Sequence, residues 1–405
     1  MIQEILHSKG LNYLKKLCVQ LPGRSVGSKN NLAATEFFRK EISSLGWDTE
    51  ASEFKAMDWE ETGVILKSGA AEFEAFASPY SLGCSVEAPL ITVSSIEELT
   101  QSDLQGKILL LRGEIAKEQI MPKNFVFYNP KGHQKIVSLL EIKQPAAIIT
   151  ATERNSALAG GLYPFPMFED GDFNIPSVYM TKEEGERLTK HDKNMVLLQS
   201  SAHRISSKGY NIIARKGKQR DQRIVITAHI DAKKSTPGAI DNATGVTVLL
   251  LLAHVLKDYH GERMIEIVAF NGEDYFAVPG QMQYISQNQG RFNEILLNIN
   301  IDGAGHKDGE TAFSFFNVPQ NILAIIKNTM TNHQGITEGP QWPQGDHSIF
   351  VQYGCPAMAV SSKWFLDHME IQDVTHTQKD NIDIVDHEKL VEIAEALGSI
   401  LQNLG

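Results

Sequence analysis

The spacing of apolar residues changes twice along the chain, and each change predicts a different kind of structure. Near the N-terminus apolar positions recur at helical spacing, with Leu6 and Leu14 on one stripe of a first amphipathic helix. A second helix is expected from Asn30 to Gly46, since glycine readily takes the left-handed conformation that ends helices. A strand at Thr49–Phe54 should follow.

After about residue 60 the pattern becomes one of short apolar strands separated by turn residues. The clearest strands are Lys107–Arg112, Ala146–Thr150 and Pro176–Tyr179. This stretch predicts a β-rich inserted domain at residues 61–204. The main domain would then consist of residues 1–60 and 205–405.

The pattern changes again after Ser206, where apolar runs of strand length alternate with helical segments such as Thr244–Tyr259. Continuous apolar runs, rather than alternation, are typical of strands covered on both faces of a mostly parallel sheet. The predicted fold class is therefore α/β, with a mostly parallel mixed sheet sandwiched by helices. The four runs are Arg223–Ala228, Met264–Phe270, Ile295–Ile301 and Ala357–Ser361.

Composition narrows the class of protein. The chain has 405 residues, 42% of them hydrophobic, which is enough for more than one core. A net charge of −11 argues against a nucleic-acid partner, because binding to phosphates depends on clustered Lys and Arg. The three cysteines are too few and too far apart to indicate a disulfide framework. With no recognisable signal peptide or membrane-spanning stretch, we expect a cytoplasmic protein with no membrane partner.

Acidic and imidazole side chains follow three of the four predicted strands. The first strand leads into His229 and Asp231, and after a turn Asp241 starts an apolar helix. The next is followed by Glu273–Asp274, and the third by Asp302. Each residue alone has an ordinary explanation as a helix cap or a solvated turn. Together they converge on one edge of the sheet, and converging carboxylates repel unless a cation neutralises them.

The types of side chain indicate which cation. Carboxylates mixed with imidazole, without a thiolate, suit zinc, with manganese (Mn2+) or cobalt (Co2+) as alternatives. Calcium and magnesium sites use oxygen ligands only. The sequence therefore predicts a hydrolytic transition-metal site.

These residues belong to a longer ordered pattern. It runs from His-x-Asp through Asp-Asn-Ala-x-Gly and Gly-Glu-Asp to a strand-ending Asp, then Asp-His-x-x-Phe, and last a His before Lys-Asp. The corresponding positions are His229–Asp231, Asp241–Gly245, Gly272–Asp274, Asp302, Asp346–Phe350 and His376 before Lys379–Asp380. In order and spacing the pattern resembles the co-catalytic zinc aminopeptidase family, which includes glutamate carboxypeptidase II and the glutaminyl cyclases. The resemblance covers the chain from about Asn211 onward and the N-terminal helices.

The resemblance implies two Zn2+ ions per chain and a role for each motif residue. His229 and Asp302 would bind one ion, Asp274 and His376 the other, and Asp241 would bridge them. Glu273 would be the general base, and Asp231 would orient the His229 imidazole. Asp274 departs from the more frequent Glu at its position. His376 is placed by motif alone, and His368 and His387 are its rivals.

Two further elements have counterparts in the family. Asp346 and Trp342 are expected beside the site as candidates for the substrate pocket, whereas His347 has no visible partner and is expected to pack. In the insertion, Asp103–Arg112 and Asn174–Val178 are similar to the protease-associated domain found in such peptidases.

The leading functional prediction is an aminopeptidase that acts on peptides with a free N-terminus. A carboxypeptidase or dipeptidase of the same family would differ by a basic residue that binds the C-terminal carboxylate, and none can be assigned from the sequence. A glutaminyl cyclase, which uses a single zinc, and an inactive peptide-binding receptor are the remaining alternatives. The sequence leaves the oligomeric state open.

Overall fold

The computed structural model of the protein describes residues 2–154 and 160–405. Its α-helices are α1 (Ile2–Leu14), α2 (Lys29–Ser44), α3 (Ile96–Gln101), α4 (Lys131–Lys143), α5 (Lys182–Thr189), α6 (Thr244–Val255), α7 (Pro279–Gln287), α8 (Gln320–Met330), α9 (His347–Gln352), α10 (Lys363–His368) and α11 (His387–Leu404). Its strands are β1 (Asp48–Ser68), β2 (Ala71–Phe73), β3 (Phe76–Ala77), β4 (Cys84–Val93), β5 (Ile108–Leu111), β6 (Ala147–Thr152), β7 (Ser177–Thr181), β8 (Met195–Lys216), β9 (Gln219–His229), β10 (Arg263–Phe270), β11 (Ile295–Ile301), β12 (Thr311–Phe316), β13 (Ile336–Glu338) and β14 (Ala357–Ser362).

The chain divides into two units, each with its own apolar core. The main unit comprises Met1–Ala56 and Lys208–Gly405, and the inserted unit comprises Met57–Ser207. The insertion begins four residues before the predicted boundary at 61 and ends three residues after the one at 204. Both boundaries fall within long strands, β1 and β8, rather than in turns.

Four parallel strands form the centre of the main unit's sheet, in the order β14-β11-β9-β10. Antiparallel strands flank them, with β12 beside β14 and β8 beside β10, and β13 lies beyond β12. Phe270 of β10 lies opposite His229 of β9. Because parallel strands end at a common edge, the residues that follow β9, β10 and β11 meet there.

Helices cover this sheet. The most apolar of them, α6, is buried along most of its length and packs against β9, α1 and α11. Elsewhere on the sheet, α9 contacts β11 and β14. The predicted fold class, a mostly parallel mixed sheet with flanking helices, is confirmed.

The two N-terminal helices form as the pattern predicts. The first continues beyond Leu14 as a π-helical turn, Lys15–Gln20. The second begins after Ser28, whose hydroxyl accepts a hydrogen bond from the Asn31 amide at 3.1 Å. It ends before Gly46, which has a φ of +75° and so takes the left-handed conformation that suits glycine.

The inserted unit has its own sheet, with β4, β5, β6 and β7 parallel in that order and β3 antiparallel to β7. Leu109 and Ile148 belong to one apolar cluster and their neighbours Leu110 and Ile149 to another. Since successive side chains of a strand point to opposite faces, both faces of this sheet are covered. None of the helices in the described part of the chain has the length and apolar character that a bilayer span requires.

Candidate metal centre

The five predicted metal ligands come together at the carboxyl edge of the main unit's sheet. β9 ends at His229, Asp302 directly follows β11, and Asp274 lies in the turn after β10. Asp241 lies in an irregular turn before α6, where the Asp241–Asn242 peptide bond is cis. His376 lies in the loop between α10 and α11 with a φ of +62°.

Asp241 lies between the two imidazoles. Its Oδ1 is 3.2 Å from His229 Nε2, and its Oδ2 is 3.1 Å from His376 Nε2. On one side Asp302 Oδ1 is 3.6 Å from His229 Nε2, and on the other Asp274 Oδ1 is 3.2 Å from His376 Nε2. The side chains thus form two groups, each with one imidazole and one carboxylate, that share Asp241.

This arrangement fits a bound cation. Potential ligand atoms of His229, Asp241 and Asp274 all lie within 4.8 Å of one another. His229 Nε2 and Asp274 Oδ2 are buried and have no hydrogen-bond partner among the described residues. Buried polar atoms are almost always satisfied, so these two atoms mark a place for a ligand. The mixture of imidazole and carboxylate, without a thiolate, has the chemistry of a zinc site.

The charges of these groups depend on one another. Burial lowers the pKa of His229 and of His376, but the neighbouring carboxylates outweigh burial and raise both pKa values well above 6.5. Burial opposes ionisation of Asp241, yet the two imidazoles beside it hold its pKa below the usual range. Burial raises the pKa of Asp302. The carboxylates therefore depend on nearby positive charge, which protonated imidazoles or a metal can supply.

Glu273 lies in a turn that Asp231 holds in place. Asp231 is fully buried, and its carboxylate accepts hydrogen bonds from the amides of Gly272 at 2.8 Å and Asp274 at 3.0 Å, on either side of Glu273. Burial raises the pKa of Glu273 well above 4.5, and the nearby carboxylates, Asp274 first, raise it further. A carboxylate with a raised pKa is suited to accept and return a proton.

The structure gives Asp231 a further contact with His229. His229 Nδ1 is 3.2 Å from the main-chain oxygen of Asp231 and 3.7 Å from its carboxylate Oδ1. The family resemblance implies that this carboxylate orients the imidazole. In the structure the main-chain oxygen is the nearer group, and the hydrogen bonds of the carboxylate go to the turn that bears Glu273.

The predicted pocket residues lie beside the ligands. Asp346 is buried, and its Oδ1 accepts a hydrogen bond from Gln281 Nε2 at 2.9 Å. Trp342 is also buried, and its Nε1 has no hydrogen-bond partner in the described part of the chain. A Cβ on Gly345 would lie 3.2 Å from the Trp342 ring and 3.4 Å from Asp302 Oδ2, so the turn between the two pocket residues adjoins the metal centre.

The other histidines considered have structural partners. His347 Nε2 donates to the Trp342 carbonyl at 2.9 Å, and its ring packs against Phe316 and Trp342. His368 contacts the carbonyl of Trp364 through Nδ1 at 2.7 Å. His387 packs edge-on against His7. The structure thus brings His376, rather than its two rivals, to the centre.

Two residues at the site have contacts that sequence reasoning did not predict. Asp380 accepts hydrogen bonds from the amides of Ile240 at 2.7 Å and Asp241 at 3.2 Å, and burial raises its pKa to about 7. Lys233 Nζ donates to the Asp274 main-chain oxygen at 2.9 Å and lies 3.9 Å from its Oδ1. The Lys-Asp pair of the motif was a signal for Asp380, whereas nothing in the spacing marks Lys233.

Known proteins share this fold and this site region. Residues 211–401 match the model of peptidase family M28. The chain is 25% identical to aminopeptidase YwaD of Bacillus subtilis over 243 residues, which are 57% of this chain and 51% of that protein. It is 23% identical to the probable leucine aminopeptidase 2 of Aspergillus oryzae over 91% of this chain and 67% of that protein. The matched chain thus spans about half the length of the first of these relatives.

A solved structure extends the comparison to nearly the whole chain. The zinc aminopeptidase from Bacillus subtilis superposes with a TM-score of 0.76 over 98% of this chain and 95% of its own, at 19% identity. Fold, strand-end site and sequence match agree: residues 211–401 are similar to peptidase family M28, a family of co-catalytic zinc peptidases.

Proposed function

We propose that the protein is a zinc aminopeptidase that removes residues from the free N-terminus of peptides. The observation that carries the proposal is the position of Asp241, whose two carboxylate oxygens lie 3.2 and 3.1 Å from the imidazoles of His229 and His376. A carboxylate shared between two groups of ligands is an arrangement that suits a pair of metal ions.

These contacts support one ligand set for each of two zinc ions. His229 and Asp302 would hold one ion, Asp274 and His376 would hold the other, and Asp241 would be common to both. Bound zinc supplies Lewis acidity, which polarises a peptide carbonyl and acidifies water. The shorter side chain of Asp274 is compatible with this set, because its Oδ1 already lies 3.2 Å from the His376 imidazole.

Glu273 is the group that moves protons. Its raised pKa allows it to take a proton from the attacking water and to pass that proton to the nitrogen of the departing amine. The hydrogen bonds from Gly272 and Asp274 to Asp231 fix the turn on both sides of Glu273, so the carboxylate is positioned before substrate binds.

The polarity of cleavage depends on which end of the peptide the pocket accepts. A carboxypeptidase needs a basic group free to bind the C-terminal carboxylate. Lys233 is a basic side chain in contact with the metal ligands, and its ammonium donates to the Asp274 main-chain oxygen. Because Lys233 is already engaged, and because relatives are named aminopeptidases, an N-terminal substrate is favoured.

We further propose that Trp342 and Asp346 line the substrate pocket and that residues 57–207 form a protease-associated-like domain. The parallel sheet of that unit supports the second proposal. A cytoplasmic location stays a prediction, and the relatives include a protein named as a probable lipoprotein aminopeptidase.

The direct test is mass spectrometry of zinc-loaded protein incubated with four peptides. One has both termini free, one is acetylated at the N-terminus, one is amidated at the C-terminus, and one begins with glutamine. Stepwise N-terminal loss from every peptide except the acetylated one is the expected result. Loss from the C-terminus would reverse the polarity, loss of ammonia from the glutamine peptide would indicate a cyclase, and no change in any peptide would favour a receptor.

A further inference from the structure

Arg24 is a buried arginine whose guanidinium contacts main-chain carbonyls. The side chain is 0% exposed. Among the described residues no carboxylate oxygen lies within 4.0 Å of it, and its hydrogen bonds go to four carbonyl oxygens instead. Nε donates to Ile230 at 3.0 Å, Nη1 to Leu17 at 2.8 Å and to Pro237 at 2.9 Å, and Nη2 to Gly238 at 2.8 Å.

Three of these carbonyls belong to the two segments that carry His229 and Asp241. Ile230 directly follows His229, and Pro237–Gly238 lead into the turn that contains Asp241. Gly238 has a φ of +60°, and a Cβ there would lie 3.0 Å from Arg24 Nη2. The guanidinium therefore fills the space between the two segments and ties them together.

The same N-terminal segment also reaches the turn that bears Glu273. The main-chain oxygen of Arg24 accepts a hydrogen bond from Asn31 Nδ2 at 3.0 Å. The side-chain amides of Asn31 and Asn271 form two hydrogen bonds with each other: Asn31 Nδ2 donates to Asn271 Oδ1 at 2.8 Å, and Asn271 Nδ2 donates to Asn31 Oδ1 at 3.0 Å. Asn271 directly follows β10. Arg24 and Asn31 together thus brace the ends of β9 and β10 and the loop before α6.

A buried guanidinium without a carboxylate partner is costly, so its charge needs an explanation. Burial lowers the pKa of Arg24, and the charges of Asp380, Asp231 and Asp241 act in the opposite direction. The arginine is therefore a fixed positive charge close to a cluster of carboxylates. Its planar fork of donors can also bind several carbonyls at once, which the single ammonium of lysine cannot reproduce.

We propose that Arg24, supported by Asn31, is a positioning residue of the metal centre: it fixes His229 relative to Asp241 and thereby sets the affinity of the site for zinc. The inference rests on the proposed function. Both residues lie outside the part of the chain that matches the family model, residues 211–401.

The test compares Arg24→Lys with Arg223→Lys. Arg223 is a matched control, because it is also an arginine with a buried side chain, 3% exposed. It lies in β9, the strand that ends at His229, but near the other end of that strand. There it donates to Glu294 at 3.1 Å and to Asn288 at 2.7 Å. Zinc affinity is measured by competition with a chelating dye, and the unfolding temperature is measured with and without zinc. We expect Arg24→Lys to bind zinc about 10- to 100-fold more weakly than wild type, as is typical when a group that orients metal ligands is lost.

Arg223→Lys should keep the zinc affinity of wild type even though it also lowers the unfolding temperature. Equal zinc affinities for wild type and Arg24→Lys would overturn the inference while leaving the proposed function in place. If wild type itself binds no zinc, the proposed function fails, and the inference fails with it. If Arg24→Lys does not fold, Asn31→Ala is tested instead. We expect this variant to bind zinc about tenfold more weakly than wild type. Unchanged zinc binding in Asn31→Ala would then overturn the inference.

Discussion

Glu273 is the residue whose replacement separates chemistry from metal binding. In Glu273→Gln the amide has nearly the same size but cannot accept a proton, and Glu273 is not among the proposed ligands. We expect the rate of peptide hydrolysis to fall by about 10²- to 10⁴-fold, with the zinc content unchanged by elemental analysis. Glu262→Gln is a suitable control, because Glu262 forms an exposed ion pair with Lys218 at 2.7 Å. A Glu273→Gln protein with near-normal turnover would show that another residue is the base.

His347 makes stability depend on pH. Burial lowers its pKa to about 4, and the hydrogen bond to the Trp342 carbonyl opposes this only in part. As pH falls below the unfolded value near 6.5, the unfolded chain takes up a proton that the folded chain does not accept until about pH 4. Folded stability is therefore lost as pH falls through this window, by about 2 kcal/mol between pH 7 and pH 5.

The measurement is urea unfolding of metal-free protein at these two pH values. His347→Gln retains a donor for the Trp342 carbonyl but has no titrating group, so its loss of stability between pH 7 and pH 5 should be smaller by that amount. His203→Gln serves as the control, since the His203 side chain is 62% exposed. An identical pH dependence of stability in wild type and His347→Gln would show that His347 is not the source of the loss.

Four of the five ligands could be predicted from local pattern, because they lie at the end of a strand, in the turn after a strand or just before a helix. His376 lies in a loop and could be placed only by the motif. The contacts of the residues that hold these ligands in place could not be predicted from the sequence. Arg24 is more than 200 positions before Asp241 along the chain, and Asp380 is 139 positions after it. Their hydrogen bonds go to main-chain groups, so these contacts leave no trace in spacing, even though the Lys-Asp pair of the motif marks the position of Asp380. Only the folded arrangement reveals them.

At the scale of secondary structure, strands buried on both faces were the easiest to predict. The four predicted runs correspond to β9, β10, β11 and β14, with ends that agree within a few residues. Strands β12 and β13 were not predicted. Their sequences alternate or are short, and β13 has only three residues, so pairing in the sheet rather than local pattern defines them.

Gly245 lets helix α6 approach strand β11 closely. A Cβ there would lie 2.4 Å from Asn242 Oδ1 and 2.5 Å from the Ile301 carbonyl oxygen. Asn242 joins the two elements, since its amide donates to the Ile301 oxygen at 2.8 Å and accepts from the Gly245 amide at 3.0 Å. Asp241 directly precedes Asn242, and Asp302 directly follows Ile301. A displacement of this contact would therefore move two proposed ligands.

We therefore expect Gly245→Ala to lower the free energy of unfolding by about 1–3 kcal/mol and to weaken zinc binding. Chemical denaturation and a zinc titration measure the two effects. Gly10→Ala in α1 is the matched control, because its Cβ would meet only Leu251 Cδ1 at an ordinary 3.5 Å. Removing a helical glycine there should be neutral or stabilising by up to about 1 kcal/mol. Equal effects in the two variants would exclude the close-contact explanation.

At the scale of the whole molecule, the metal centre concentrates negative charge in a chain that already carries a net charge of −11. Asp241, Asp274, Asp302 and Glu273 converge on a buried site, and burial disfavours the ionised forms of Asp241, Asp302 and Glu273. A cation that binds only the folded chain therefore stabilises it. Zinc at a hundredfold excess over its dissociation constant should contribute about 2.7 kcal/mol, which corresponds to a rise of about 3–5 °C in unfolding temperature for a chain of this size.

Calorimetry of chelator-treated protein, before and after zinc is restored, measures this stabilisation. Magnesium at the same concentration should have little effect, because it prefers an all-oxygen set of ligands and the site contains two imidazoles. In Asp241→Asn the rise should be smaller, since Asp241 is the carboxylate in contact with both imidazoles. A zinc-independent unfolding temperature would mean that the folded chain does not use these side chains as a metal site. An equal response to magnesium would mean that charge alone, rather than the imidazoles, decides which ion binds.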